Sequence, residues 1–315
     1  MNGVETSNPQ PKVLVLLATY NAGPWIQEQL SSILEQADVE LSLLVSDDDS
    51  TDGTREYLEE IAHKNPRVSI APKREGAAGS AQNFLYLCHL ALAYVGDYDW
   101  VAFADQDDIW HSQKLIRQVD LAVRWQASGV SSSVLALYPD GHLEPIRKDY
   151  PQRPLDYVCE SPGPGCTFLM RPEVLDLTLR AAKAIDSNEV GFHDWLVYAA
   201  TRAAGKTWVI GSWPSVKYRQ HASNVHGANR GLGAIKQRLG QLSSGWYRRQ
   251  FILMATAAVA TASSEDTRAD LQRVLRALES KSLAARLEIL RLAPHLRRRR
   301  RDQFVLGALV LLGIW

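Results

Sequence analysis

Cysteine is scarce: the 315 residues hold three, Cys88, Cys159 and Cys166. They are too few and too scattered for a disulfide framework or a cysteine-rich zinc site, and a reducing compartment suits them. Long apolar runs are missing too. Spanning a bilayer takes about 20 consecutive apolar residues, and the longest run here, FVLGALVLLGIW at 304–315, has twelve. The first residues, MNGVETSNPQPK, lack the basic-then-apolar layout of a secretory signal, so the chain is expected to start in the cytosol. There is no internal repeat, no low-complexity linker and no P-loop.

A surplus of one charge is also absent, since 35 Lys and Arg balance 35 Asp and Glu. As a total, that neutrality argues against a nucleic-acid or anionic-membrane partner. The total hides two opposed parts. Residues 1–266 hold 24 Lys or Arg against 31 Asp or Glu, a net of −7, whereas 267–301 carry +8. Nucleic acid stays outside the expected partners, but a membrane does not. With 46% apolar and 22% charged residues the composition is that of a globular protein, long enough for one large or two ordinary domains.

The first half alternates strands and helices. KVLVLLA (12–18), ELSLLVS (40–46), RVSIA (67–71) and DWVAFA (99–104) read as short buried strands. Helices are expected after Pro24, after a cap at Asp52, over 80–95 and over 112–127. This order predicts an α/β fold with a mostly parallel sheet. Beyond residue 130, SSSVLAL, CTFLM and TWVIG read as further strands, and 172–184 and 192–204 as helices. From about 231 the pattern is helical. The expected division is a catalytic domain over 1–230 and a helical appendage over 231–315.

Ligands of open α/β sheets bind beyond the carboxyl ends of the strands. Polar clusters fall at three such ends: Thr19-Tyr20-Asn21, SDDDSTDGT (46–54), and Asp105-Gln106-Asp107-Asp108. Crowded carboxylates imply a bound cation or a hydrogen-bonded ligand. Asp105 and Asp107 are spaced to meet one Mg²⁺ or Mn²⁺ ion. The same clusters also suit turns followed by capped helices. Asp48, Asp49 and Asp108 receive no definite role.

LATYNAGPWIQEQLSSIL, then VSDDDSTDGT, then FADQDDIWHSQKL, resemble the family-2 inverting glycosyltransferases of GT-A fold. The DQDD-I-W-x-x-x-K-L signature is similar to that of bacterial rhamnosyltransferases of surface-polysaccharide assembly. The resemblance runs over about 12–230. It implies that Thr19, Tyr20, Asn21 and Asp47 hold the donor nucleotide, with Arg74 and Asn83 nearby. It implies a DXD motif in Asp105 and Asp107 that binds the diphosphate through a divalent metal. Asp49 stands where the family more often has Gly, and Gln82 where many relatives have Arg. In FHDWLVY the resemblance makes Asp194 the general base, with His193 as an orienting or acceptor-binding group. His193 is also a second candidate base, since an unperturbed imidazole titrates near neutral pH. Trp195 either stacks on a sugar or lies in the core. Gly165 and Cys166 are expected to line the donor sugar and acceptor. Arg219 and His221 are placed to contact diphosphate or metal, although His221 also suits a plain loop position.

The resemblance therefore implies transfer of a sugar from a nucleoside-diphosphate donor, dTDP-L-rhamnose favoured over a UDP-hexose. The acceptor would be a glycan, lipid-linked in lipopolysaccharide or surface-polysaccharide assembly. A Mg²⁺-dependent phosphohydrolase and a non-catalytic scaffold are the alternatives from other classes. In the tail, five consecutive arginines (297–301) precede the apolar run, and Leu271, Val274, Leu275, Leu278, Leu283, Leu287 and Leu290 follow roughly helical spacing. That layout predicts peripheral attachment to the inner face of the cell membrane. The alternative is a helical hairpin packed on the catalytic domain, its last run buried in a homo-oligomer interface.

Overall fold

The computed structural model describes residues 9–94, 97–221, 240–242 and 244–314. The apolar runs form the expected strands: β1 (Lys12–Thr19), β2 (Glu40–Asp47), β3 (Val68–Ile70) and β4 (Trp100–Ala104). They are apolar on both faces because both faces are covered. Leu14 and Leu16 of β1 join one buried cluster, and Val13, Val15 and Leu17 join the other. In β4, Val101 and Phe103 point one way and Trp100, Ala102 and Ala104 the other. The helices α1 (Ile26–Leu34), α2 (Thr54–Lys64) and α4 (Lys114–Arg124) supply the second cluster. The first is supplied by α3 (Ser80–Ala91), α5 (Glu173–Lys183) and α6 (His193–Ala203).

Two expected strands are divided in the structure. SSSVLAL separates into the end of β6 (Gly129–Ser132) and β7 (Val134–Leu137). The break is at Ser133, whose N–H donates to Gly211 O at 3.0 Å and whose Oγ accepts from Lys148 N at 3.1 Å. CTFLM is a 3₁₀ turn over Gly165–Thr167 followed by a two-residue strand, β9 (Leu169–Met170). With β10 (Trp208–Gly211) the main sheet has the order β10-β6-β9-β4-β1-β2-β3, parallel except at β9. The strands β5 (Ile109–Trp110), β8 (Leu143–Ile146) and β11 (Val216–Arg219) join β7 in a second sheet, ordered β5-β11-β7-β8, that is not expected from the sequence. Strands of two to four residues are too short to show alternation.

The expected boundary near residue 230 lies outside the described residues. Beyond it come α7 (Trp246–Thr261), α8 (Glu265–Glu279), α9 (Leu283–Leu296) and α10 (Arg300–Leu312). Their Met254, Leu271, Val274, Leu278, Ile289, Leu296 and Val310 share one buried cluster with Leu16, Phe103 and Leu196 of the α/β part. So Leu271, Val274 and Leu278 of the expected amphipathic pattern face inward, as in the packed-hairpin alternative, where they cover apolar surface of α7 and α9. Among the described residues no helix is long and apolar enough to cross a membrane.

Gly129 makes a close approach: a Cβ there would lie 2.2 Å from the Trp208 ring of the neighbouring strand. The rigid indole packs against Phe168 and Tyr198 and cannot retreat. Gly129→Val should cost about 1–3 kcal/mol through overpacking, read as a lower urea midpoint at unchanged slope.

Candidate active site

The polar residues at the ends of β1 and β2 are bonded mainly to each other. Thr19 Oγ1 donates to Asp47 Oδ1 at 2.8 Å, and Asp47 Oδ2 accepts from Ser50 N at 2.9 Å. Asn21 takes positive φ (47°), accepting from Thr51 N and donating its own N–H to Ser50 Oγ, each at 2.8 Å. Asp52 accepts from Gly23 N and Thr54 N, so it caps the start of α2 from just outside it. Thr19 and Asp47 are buried, so they and Asn21 build the wall at this strand end. Tyr20, 57% exposed, is the one side chain of the first cluster that faces solvent broadly.

A second wall comes from the 74–83 segment. Arg74 Nη2 pairs with Asp48 Oδ1 at 2.6 Å, and Asp48 Oδ2 accepts from Gly79 N at 2.8 Å. Asn83 is buried and donates to Ser46 O at 2.9 Å. Asp48, left without a role by the sequence, is thus the partner that fixes Arg74.

The acidic loop after β4 is held from several sides. Gln106 exchanges hydrogen bonds with the Tyr20 backbone at 2.6 and 3.0 Å, and Gln29 donates to Asp105 O at 2.6 Å. β11 pairs with β5, Val216 opposite Trp110, which brings Arg219 and His221 alongside the loop. Arg219 donates its N–H to Asp108 Oδ1 at 3.1 Å and its Nε–H to Asp107 O at 2.8 Å, and its guanidinium also pairs with Glu28. Arg219 therefore clamps the loop to α1. His221 Nε2 lies 2.7 Å from Asp107 Oδ2, and its ring stacks on Trp25 at 4.1 Å.

Metal-ligating atoms of Asp105, Asp108 and Cys166 lie within 4.8 Å of one another. Burial and the charges of Asp107 and Asp194 raise the Asp105 pKa, and burial with its acidic neighbours raises that of Asp108. Cys166 is fully buried and its thiol is pushed up by burial, so it sits behind the acidic loop and does not line an open sugar pocket. Lys114 is also fully buried, with Nζ 3.8 Å from the Trp110 ring centroid and 3.0 Å from Gln118 Oε1. Burial drops its pKa to about 7.

Across the cleft, α6 begins at His193 and Asp194. His193 is buried, stacked on Phe84 at 3.8 Å, and burial lowers its pKa to about 3. It is neutral at physiological pH and makes a poor second base. Asp194 accepts from Trp195 N at 2.6 Å, with Ser161 and Gly165 N as further donors. Burial nevertheless raises its carboxyl to about 6. Gly165 is required: a Cβ there would lie 2.5 Å from His193 Nε2 and 3.5 Å from Asp194 Cβ. Trp195 is core, not a sugar platform. It is 5% exposed, with Nε1 donating to Tyr157 O at 2.8 Å and its ring against Phe251.

Buried side-chain atoms without a hydrogen-bond partner gather at this end of the sheet: Ser46 Oγ, Arg74 Nε, Asn83 Oδ1, Asp108 Oδ2, Trp110 Nε1 and His193 Nε2. Such atoms are uncommon in folded proteins and mark strain, bound water or a ligand site. Sequence reasoning gave no role to Trp25, Glu28, Gln29, Gln106 and Lys114. The partners of the first four lie far off in the chain, whereas Lys114 meets Trp110 and Gln118 four residues away and is the Lys of the DQDD-I-W-x-x-x-K-L pattern.

Residues 14–174 match the family described as Glycosyl transferase family 2. The dTDP-rhamnosyl transferase RfbG of Shigella flexneri is 37% identical over 247 residues, covering 76% of this chain and 84% of that protein. The N-acetylglucosaminyl-diphospho-decaprenol L-rhamnosyltransferase of Mycobacterium tuberculosis is 25% identical over 147 residues, 44% of this chain and 45% of its own length. Among solved structures, S. aureus TarS 1-349 in complex with UDP-GlcNAc aligns with a TM-score of 0.57 at 14% identity, covering 96% of this chain and 93% of that one. The mannosyltransferase PcManGT of Pyrobaculum calidifontis, in complex with GDP-Man and Mn2+, gives 0.51 at 19% identity over 96% and 86%. At those identities the likeness shows the fold alone, which is the GT-A type expected. On the family match and the 37% relative together, the chain belongs to glycosyl transferase family 2.

Proposed function

We propose that this chain is an inverting rhamnosyltransferase that moves L-rhamnose from dTDP-L-rhamnose to a lipid-linked glycan of surface-polysaccharide assembly. It would work peripherally on the inner face of the cell membrane. The similarity to a dTDP-rhamnosyl transferase over three quarters of the chain favours this donor. The observation that carries the reaction is Asp194 at the start of α6, its carboxyl raised by burial and its charge felt at Asp105 in the acidic loop. The acceptor hydroxyl attacks the anomeric carbon and gives its proton to Asp194. The bond from that carbon to the donor diphosphate breaks with inversion, and the diphosphate leaves with the electron pair.

Asp105 and Asp107, with His221 beside them, are the residues that would hold a divalent cation. Their chemistry fits: the Asp107–His221 pair is partly open, with side chains 17% and 12% exposed, whereas Asp108 and Cys166 are sealed. Carboxylates suit Mg²⁺ or Mn²⁺, and the imidazole shifts the preference toward Mn²⁺. When bound, the cation would supply charge neutralisation to the diphosphate. Tyr20 offers its open ring to the nucleotide base. Thr19, Asn21, Asp47, Arg74 and Asn83 shape the wall against which the nucleotide lies. Neutral His193 backs the acceptor side beneath Gly165.

Asp194→Asn should lower kcat about 10²–10⁴-fold, the usual worth of a general base, with little change in donor affinity. The sign of the pH dependence follows from the raised carboxyl. Asp194 must be ionised to accept a proton, so the rate should fall as pH drops through about 6. An ordinary aspartate would hold its activity to about pH 4. His221→Ala should weaken Mn²⁺ binding about tenfold or more, measured by water-proton relaxation. A donor panel of dTDP- and UDP-sugars with Mn²⁺ tests the sugar: turnover with dTDP-rhamnose is expected, and turnover with UDP-hexoses alone would overturn it.

A further inference from the structure

The outer face of the C-terminal hairpin is apolar where the outer face of a surface helix is normally polar. In α10, Arg301, Phe304, Val305, Ala308, Leu311 and Leu312 recur every three to four residues and are all exposed. Leu306, Gly307 and Val310 form the buried face. Phe304 is 79% exposed and Leu312 is 69% exposed. The neighbouring α9 adds Leu283 at 70% and Leu287 at 46%. The two helices are joined at this edge, because Arg286, between those leucines, donates from Nη1 to Leu311 O at 3.3 Å. Apolar side chains at this density make a patch that marks an interaction surface.

The cations around it are of two kinds. Arg297 turns inward and donates to Cys159 O at 2.6 Å. Arg298 is buried, pairing with Asp156 at 3.4 Å and Glu160 at 3.3 Å and reaching Ser161 O. Arg291, Arg300 and Arg301 remain exposed, with Arg299 half-exposed over the Tyr150 ring. Their acidic neighbours, Asp302 at 3.3 Å from Arg301 and Glu288 at 3.7 Å from Arg291, are largely withdrawn from solvent. Exposed apolar side chains rimmed by arginines complement a surface with apolar depth and negative headgroups.

We infer that the exposed face of α9 and α10 docks on a bilayer rich in anionic headgroups, with Phe304, Val305, Leu311 and Leu312 at the acyl boundary and Arg291, Arg300 and Arg301 at the phosphates. The inference rests on the peripheral location proposed above and adds the face that makes the contact. It also gives an orientation. Arg298 bolts the hairpin to the 156–161 loop, and Ser161 of that loop hydrogen-bonds Asp194. The base side of the cleft is therefore fixed relative to the docked face.

The test is vesicle flotation of the full chain with phosphatidylglycerol-containing and pure phosphatidylcholine vesicles. Wild type should float with the anionic vesicles. Phe304→Asp/Leu312→Asp should lose at least about tenfold in partitioning, and Arg300→Glu/Arg301→Glu at least about fivefold per site. Both variants should keep the wild-type melting curve and the rate of donor hydrolysis in solution, since these side chains touch neither core nor cleft. If the variants float as wild type does, this face is wrong and the peripheral location stands. If wild type floats with neither vesicle, the location fails with it. A concentration-dependent dimer by sedimentation, abolished by Phe304→Asp/Leu312→Asp, would make the face a contact between copies of this chain and overturn the inference.

Discussion

Repulsion among Asp105, Asp107 and Asp108 governs this structure. Three carboxylates within four residues cannot share one strand end unless other elements hold them apart and supply compensating dipoles or protons. Each constraint comes from elsewhere in the chain. Gln29 of α1 fixes the Asp105 carbonyl, Gln106 is tied to the Tyr20 backbone, and Arg219 binds the loop at two points. The small second sheet has its use here: β11 can reach Asp107 and Asp108 only because it is laid against β5. The switch at Ser133 gives β11 its other neighbour, β7. The folding of that sheet and the geometry of the acidic loop are one problem.

The facing wall separates two adjacent residues by environment. His193 and Asp194 occupy the same helical turn, yet the imidazole is packed on Phe84 and kept neutral while the carboxylate receives hydrogen bonds from Ser161 and Gly165. Those donors favour the ionised form, and burial opposes them more strongly, so the carboxyl ends up more basic than a surface aspartate. A proton acceptor of that strength is ionised at neutral pH and still takes a proton readily. Gly165 makes the arrangement possible, since any side chain there would displace His193 and the start of α6 with it.

How much of this could be read from the sequence depended on the range of the interactions. β1, β2 and β4 were legible because a continuous apolar run is a local signal, and the main-sheet helices because their periodicity is local too. The acidic clusters could be placed at strand ends for the same reason. The partners of those clusters could not. Trp25 under His221, and Cys166 behind Asp105 and Asp108, are contacts between distant segments with no local spacing to announce them. Trp195 shows the converse: its neighbour Asp194 suggested a site residue, but the helix turns the indole toward Phe251 and Tyr157. The resemblance makes Thr19, Asn21 and Asp47 ligand contacts, whereas in the structure their hydrogen bonds run mainly to each other and to the turn at Ser50 and Thr51.

The C-terminal region shows how one composition can serve two ends. The basic segment offsets the acidic catalytic part in the total, so the sequence looks neutral. Structurally the arginines divide. Arg297 and Arg298 satisfy carbonyls and carboxylates of the 156–161 loop, where a buried acid such as Asp156 would otherwise stay costly. Removing that pairing would take the Arg298 charge from Glu160 and leave Arg202, at 3.3 Å, as the cation beside Asp156. Arg299 lies half-exposed over the Tyr150 ring, and Arg300 and Arg301 remain at the surface. Charge that looked like a single run is therefore half internal cement and half outward field, and the boundary falls within one turn, where the chain leaves α9 and enters α10.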